Sequence, residues 1–420
     1  MNRDVLIVGA GVSGLVAAVE LKRRGFSVEV LEASDEVGGR VRTDRVSGFL
    51  LDRGFQVLLT AYPEVRRSLN LQALALREFE PGAIVRCDRR FHTISDPARR
   101  LRKVFASAFA PIGSAGDKLL IAELRGDLLD QGIDEVLSQP EITTLEALRE
   151  YGFSERVIDR FFRPFLGGIF LDPTLATSSR MFRFVYRMFA QGAAALPAGG
   201  IQQIPKQLAQ RFGEDHIRLN APVQHVWEGG VRLDSGEELS AETVVVACDP
   251  GRAAQLLPEA GIRTTMRSVR CLYFAAAESP IDGRYLVLNG EGEGPINNLA
   301  VPSVLASGYA PKGSQLVSVT VLQPPLDEEH LLHDVRQQLV VWFGEKARRW
   351  DFLKSYHIEN ALPDQTLAQG GVRMSPVQLG QRLFVCGDHC GTASLNGAML
   401  AGRRAAESVC GVIGRSSELL

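Results

Sequence analysis

The sequence predicts an α/β fold built on a parallel sheet with a Rossmann-like nucleotide turn. Three observations carry that expectation: a buried strand that runs straight into a glycine-rich turn, an acid at the end of the next strand, and short branched runs after residue 220. At 420 residues, 45% hydrophobic and 23% charged, the chain has the composition of an ordinary globular protein of two or three domains.

Residues 4–8 form an apolar run rich in branched side chains, as a strand buried on both faces requires. Gly9, Gly11 and Gly14 follow as G-x-G-x-x-G, and Leu15, Ala18, Val19 and Leu21 supply helical periodicity up to a stop at Gly25. Residues 27–31 read as the second strand and end at Glu32, eighteen residues past Gly14. Together these make a complete β-α-β dinucleotide fingerprint. Gly9 permits the turn, Gly11 lets a pyrophosphate approach the backbone, and Gly14 lets helix and strand pack closely. The helix's unpaired amides and positive end then face the phosphates, while Glu32 can accept from ribose hydroxyls. Residues 223–227, 231–233 and 243–247 read as further strands between turn signals, the last of them buried.

Gly38, Gly39 and Arg40 supply a second close backbone approach and a planar fork suited to a phosphate. With the fingerprint, this segment resembles the flavoprotein superfamily of amine oxidases, protoporphyrinogen oxidases and phytoene-type desaturases. Three more segments are similar to that family: Asp52-Arg53-Gly54-Phe55-Gln56, Pro197-Ala198-Gly199-Gly200-Ile201, and Phe384 to Asp388 followed by Ser394 to Gly402. The resemblance implies noncovalent FAD, with contacts from Gly9, Gly11, Ser13, Gly14, Glu32, Ala33, Gly38, Gly39, Arg40, Gly54, Phe55, Gln56, Val223, Gly387, Asp388, Ser394, Asn396, Gly397 and Ala398. Asp388 would hold the sugar-like part. The helix after Ser394 would point its positive end at the pyrimidine end of the ring, where reduction places negative charge.

Because those motifs are far apart in sequence, the resemblance implies a discontinuous FAD-binding domain, a parallel sheet with a β-meander, from residues 1–75, 193–265 and 355–420. A mixed α+β substrate domain, residues 76–192 and 266–354, would be inserted in pieces. Seven of the twenty phenylalanines lie between residues 161 and 189, interleaved with Arg160, Arg163, Arg180, Arg183 and Arg187. Such an amphipathic segment serves as a helical core, as the wall of a pocket for a large apolar substrate, or as both on different faces.

Forty-seven basic against 49 acidic residues leave a net charge of −2, too even for a protein that wraps nucleic acid. Locally, residues 86–103 hold seven cations against Asp88 and Asp96, and Phe105 and Phe109 follow. A basic stretch leading into aromatics suits peripheral contact with an anionic membrane, so residues 86–112 are a candidate membrane-facing segment. No apolar run is long enough to span a bilayer. Residues 1–20 read as a folded strand and helix, not a signal peptide, and six scattered cysteines suit a reduced, cytoplasmic compartment.

No nucleophile-and-base arrangement and no metal motif stands out; Cys386, His389 and Cys390 would still need a fourth ligand. A flavin supplies its own electrophile, so the protein's catalytic residues can be few. His389 and Arg270 are the candidates for groups near the ring. Arg270 falls where the amine oxidases carry a lysine, and Ser394 near where they carry a cage tyrosine. Arginine cannot replace a tunable amine. The resemblance therefore points to an FAD-dependent oxidoreductase of the dehydrogenase or desaturase type acting on a carotenoid-, porphyrinogen- or terpenoid-like substrate. Amine oxidation, a redox-neutral flavin isomerase and a non-catalytic FAD-binding protein are the alternatives.

Overall fold

In the computed structural model, residues 3–95, 111–325 and 327–414 are described. The strand Arg3–Val8 lies inside the first sheet. It pairs in parallel with Val28–Leu31 on one side and with the end of Glu238–Val246 on the other. Ile217–Arg218 and Leu383–Val385 extend the parallel set at either side. Val223–Trp227, Gly230–Leu233 and the start of Glu238–Val246 form the antiparallel meander. Side-chain alternation explains why the first strand is apolar throughout. Val5 and Ile7 pack with the helices Val12–Arg23, Gln203–Phe212 and Leu395–Ile413, while Leu6 and Val8 pack with the meander.

The second sheet has seven strands in the order Asp351–Pro363, Met266–Ala276, Gln315–Leu322, Asn298–Ala300, Leu286–Asn289, Gly82–Cys87 and Arg90–Ser95. All its pairings are antiparallel except Leu286–Asn289 with Gly82–Cys87. The strand Asp351–Pro363 runs past the boundary expected at 354/355, because its whole length pairs with Met266–Ala276. One face of this sheet is covered by the helix Glu328–Phe343, whose Leu331, Val335 and Leu339 meet Leu272, Phe274, Val317 and Val319. The opposite face packs on Phe49–Asp52 and on Leu305 and Tyr309, and elsewhere it is open to a cavity.

The stretch from residue 111 to 192 is helical. Ser114 and Asp117 form a capping box that starts the helix Ala115–Asp130, and Ser178 caps Ser179–Gln191. The phenylalanine cluster divides between two faces. Phe162, Phe170, Phe182 and Phe184 are buried in the core, whereas Phe161, Phe165 and Phe189 turn to a cavity.

Candidate active site

A cavity of about 1020 Å³ runs from the dinucleotide turn across to the second sheet and the inserted helices. That volume is at the top of the range for a single small-molecule site, enough for a cofactor and part of a second molecule. Its nucleotide end is built as the fingerprint requires. Gly9 adopts φ +108°, a conformation that side chains resist. A side chain at Gly14 would overlap the Gly9 carbonyl, so glycine is needed there for packing, and Gly14 is off the cavity wall. A Cβ at Gly11 would meet only open space, because the cavity lies there. Gly11 is also the N-cap of Val12–Arg23 and offers no side-chain cap, so the helix's first amides are left for an anion.

Glu32 lines the cavity where the second strand ends. Its Oε2 accepts from the Ala10 amide at 2.7 Å, and its Oε1 accepts from the Ser34 amide and hydroxyl at 2.9 and 2.7 Å. A carboxylate has about four acceptor positions, so one remains for a ribose hydroxyl. Ser13, Ala33, Gly38, Gly39 and Val223 lie on the same wall.

The carboxyl-terminal segment comes to the same place. Asp388 lies buried on the cavity wall just past Leu383–Val385, and Arg40 forks onto it, donating to Oδ2 at 2.8 Å and Oδ1 at 2.6 Å. Arg40 also donates to the Ala361 carbonyl at 2.9 Å. The guanidinium fork expected for a phosphate is thus taken up by Asp388, and the pair ties the amino-terminal turn to the last strand. Ser394 caps the final helix by accepting from the Gly397 amide, and Gly387, Ser394 and Ala398 are on the wall. Gly54, Phe55 and Gln56 line the middle, where the Gln56 amide donates to the carbonyls of Arg40 and Arg53 at 2.9 and 3.1 Å.

Behind that loop sits a buried carboxyl that sequence reasoning did not single out. Asp52 Oδ1 accepts from the Thr43 hydroxyl at 2.6 Å and the Ile201 amide at 3.0 Å. Its Oδ2 accepts from the Tyr309 hydroxyl at 2.9 Å, and its carbonyl from Tyr273 at 2.6 Å. Burial pushes the carboxyl up to about 6 against the pull of those donors. The knot joins pieces of both expected domains behind the cavity's centre.

Several expected site residues do other work. Asn396 accepts from the Glu64 amide at 3.1 Å and so holds the start of the helix Pro63–Ser68; neither it nor Gly397 lines the cavity. A side chain at Gly397 would overlap the Thr392 carbonyl. Arg270 does not reach the cavity. Its strand neighbour Val269 does, and alternation turns Arg270 to the opposite face, where it pairs with Glu328 at 2.9 Å. His389 is also off the wall; burial lowers its pKa, and neither ring nitrogen has a hydrogen-bond partner among the described residues. Among the described residues no group of three or more histidines, cysteines or carboxylates is arranged to hold a metal. Wall residues that sequence reasoning missed include Tyr62, Asp249, Arg252 and Ile358. Asp249 had a signal, since it follows a buried strand beside the fingerprint strand.

The far end of the cavity is apolar. Phe161, Phe165, Ile169, Val185, Tyr186 and Phe189 line it, and the helix Ala115–Asp130 adds Ile121 and Ala122 together with Lys118 and Arg125.

The dinucleotide turn thus opens onto a large apolar arm. The profile described as flavin containing amine oxidoreductase matches residues 12–410, and the chain belongs to that family. It is similar to a zeta-carotene-forming phytoene desaturase of Myxococcus xanthus, 26% identical over 65% of this chain and 58% of that protein. The chain thus spans little more than half the length of that relative. It also resembles a hydroxysqualene dehydroxylase of Rhodopseudomonas palustris, 25% identical over 97% of this chain and 99% of the other. Among solved structures, an oxidoreductase from Methanosarcina mazei superposes with a TM-score of 0.76 at 18% identity, covering 96% of this chain and 100% of the other. A putrescine oxidase does so at 0.73 and 20%, covering 99% and 100%. Both share the fold.

Proposed function

We propose that the protein dehydrogenates a large apolar molecule, carotenoid-, porphyrinogen- or terpenoid-like, at noncovalently held FAD. The observation that carries this reading is the continuity of the two arms: the wall of Phe161, Phe165 and Phe189 opens onto the same space as Gly54, Gln56 and Asp388. When bound, FAD supplies the hydride acceptor. The chain's own residues bind, orient and exclude water. The uncapped helix start at Gly11 and the Glu32 carboxylate hold the nucleotide, the Arg40 and Asp388 pair and the Ser394 helix start hold the remainder, and the phenylalanines dry the substrate arm. Noncovalent attachment suits the wall. No histidine lies on it among the described residues, and burial pushes the thiol of Cys248, its one cysteine, up to about 12.

Amine oxidation is less well supported, because the position matching the family lysine is an arginine turned away from the cavity. Anaerobic mixing with polyene, porphyrinogen and amine candidates tests the proposal: a dehydrogenase bleaches its flavin stoichiometrically with its substrate. Conversion only after prior reduction, without net electron transfer, identifies an isomerase instead. No response to any candidate identifies a scaffold.

Peripheral membrane contact through residues 86–112 is part of the same proposal, and residues 96–110 lie outside the described residues. Arg86 does not belong to such a patch. It is buried, 3.5 Å from Glu291 and over the Phe91 ring. Arg89 and Arg90 are exposed. No described helix is long and apolar enough to cross a membrane. Flotation with anionic against neutral liposomes checks the contact, and equal recovery with both refutes it.

A further inference from the structure

The floor of the substrate arm is the second sheet. Crossing it strand by strand, Ile358, Val269, Thr320, Asn298, Leu286 and Ala83 line the cavity. Four of these are hydrocarbon, and the two in the middle are not. Thr320 and Asn298 are register partners, only 4% and 3% exposed. The Asn298 amide donates to the Thr320 hydroxyl oxygen at 3.2 Å, and its Oδ1 accepts from the Asn297 amide at 2.8 Å. This leaves the Thr320 hydroxyl proton and one Asn298 amide proton without an acceptor among the described residues. Over the pair lies Gly168 of the helix Arg163–Phe170, where a Cβ would come within 2.9 Å of Asn297 and 3.1 Å of Asn298. Its bare backbone lets the helix close over the pair and wall it from solvent.

Buried donors are costly when unmet, and the floor positions on either side, Val269 and Leu286, offer no acceptor. We propose that Thr320 and Asn298 are a two-donor anchor for an uncharged acceptor oxygen, an alcohol or carbonyl, on an otherwise apolar substrate. This deepens the function proposed above and rests on it. At this pair a carboxylate is the wrong ligand, because two neutral donors do not offset the desolvation of a buried charge. Gly54 lies against Ile358 on the first strand of the floor, 3.4 Å from a Cβ placed there, and Thr320 is two strands further on. It also lies two residues along the strand from the row of Ile358, Val269 and Leu322, so the anchor is about 12 Å from the flavin loop. It grips a remote oxygen and sets which carbons of an elongated molecule come to that loop.

Titration of the holoenzyme with retinol, retinoic acid and axerophthene, the matching hydrocarbon, followed by the perturbation of flavin absorbance, tests the anchor. Retinol is expected to bind about tenfold or more tighter than either of the others, the loss expected when a buried hydrogen bond goes unmade. Thr320→Val narrows the gap to the hydrocarbon by about tenfold, whereas Thr320→Ser, which keeps the hydroxyl, preserves it. Equal binding of retinol and axerophthene by the unaltered enzyme, as a trapped water at the pair would produce, overturns the anchor and leaves the apolar-substrate reading standing. Tightest binding by retinoic acid overturns it too. If none of the three perturbs the flavin, anchor and substrate reading fall together.

Discussion

Asp52 gives the most quantitative prediction. Its carboxyl is buried and titrates near 6, against 3.8 when solvated. The folded state therefore holds the proton more tightly than the unfolded one. The stability contributed by this group is fully present below the unfolded value and is lost as pH rises through the folded one. A gap of about two pH units corresponds to about 3 kcal/mol. Asp52→Asn removes the charge and keeps the shape: the amide oxygen can accept from Thr43 and Ile201, and the amide nitrogen can donate to a Tyr309 hydroxyl that rotates to receive it. At pH 4 the two proteins should be similar. By pH 7.5 the variant should have gained about 3 kcal/mol on the parent, which for a chain of this size is about 3 °C in unfolding midpoint. Heating the holoenzyme and following flavin emission at a series of pH values measures the gap directly, since all other titrations are common to both proteins. A gap that stays constant from pH 4 to 7.5, or widens toward acid, would refute the reasoning.

The nucleotide turn separates two kinds of glycine. Gly11→Val places its side chain in the cavity and clear of the fold, so it should yield folded protein largely without flavin; Gly14→Ala drives into the Gly9 carbonyl and should lower the unfolding midpoint even of apo protein. Absorbance at the flavin maximum together with circular dichroism distinguishes the two. Phe165→Ala should weaken binding of an apolar ligand by tenfold or more, from about 1.5 to 3 kcal/mol of lost burial, with flavin content unchanged, as a ligand titration would show. Arg270→Met should leave the rate of flavin reduction within about twofold of the parent in stopped flow, since its head is held by Glu328 on the far face of the sheet. A rate loss of a hundredfold would return Arg270 to the active site.

Much of the cofactor arm was legible because each of its demands is local. Gly9, Gly11 and Gly14 are needed by one turn and one helix, and Glu32 ends the very next strand. Asp388 and Ser394 were readable for the same reason, as a strand end and a helix cap within seven residues. Asn396 misled because a polar residue in the first turn of a helix can serve a ligand or another helix, and only the position of Pro63–Ser68 decides which. Arg40 was expected on a phosphate because its fork fits any planar anion, and the fold brought Asp388 to it from the other end of the chain.

Unaided, the sequence determined the β-α-β turn, the meander and the apolar segment that walls the substrate arm, since each is written in short-range periodicity and in glycines whose necessity is steric. Tertiary structure alone decided that Val269 and Thr320 face the cavity while Arg270 faces Glu328, and that Asp52 gathers donors from distant segments. The reason lies in the strand itself: a period of two tells which side chains share a face, but which face meets the cavity depends on how a sheet assembled from distant segments is laid against the rest.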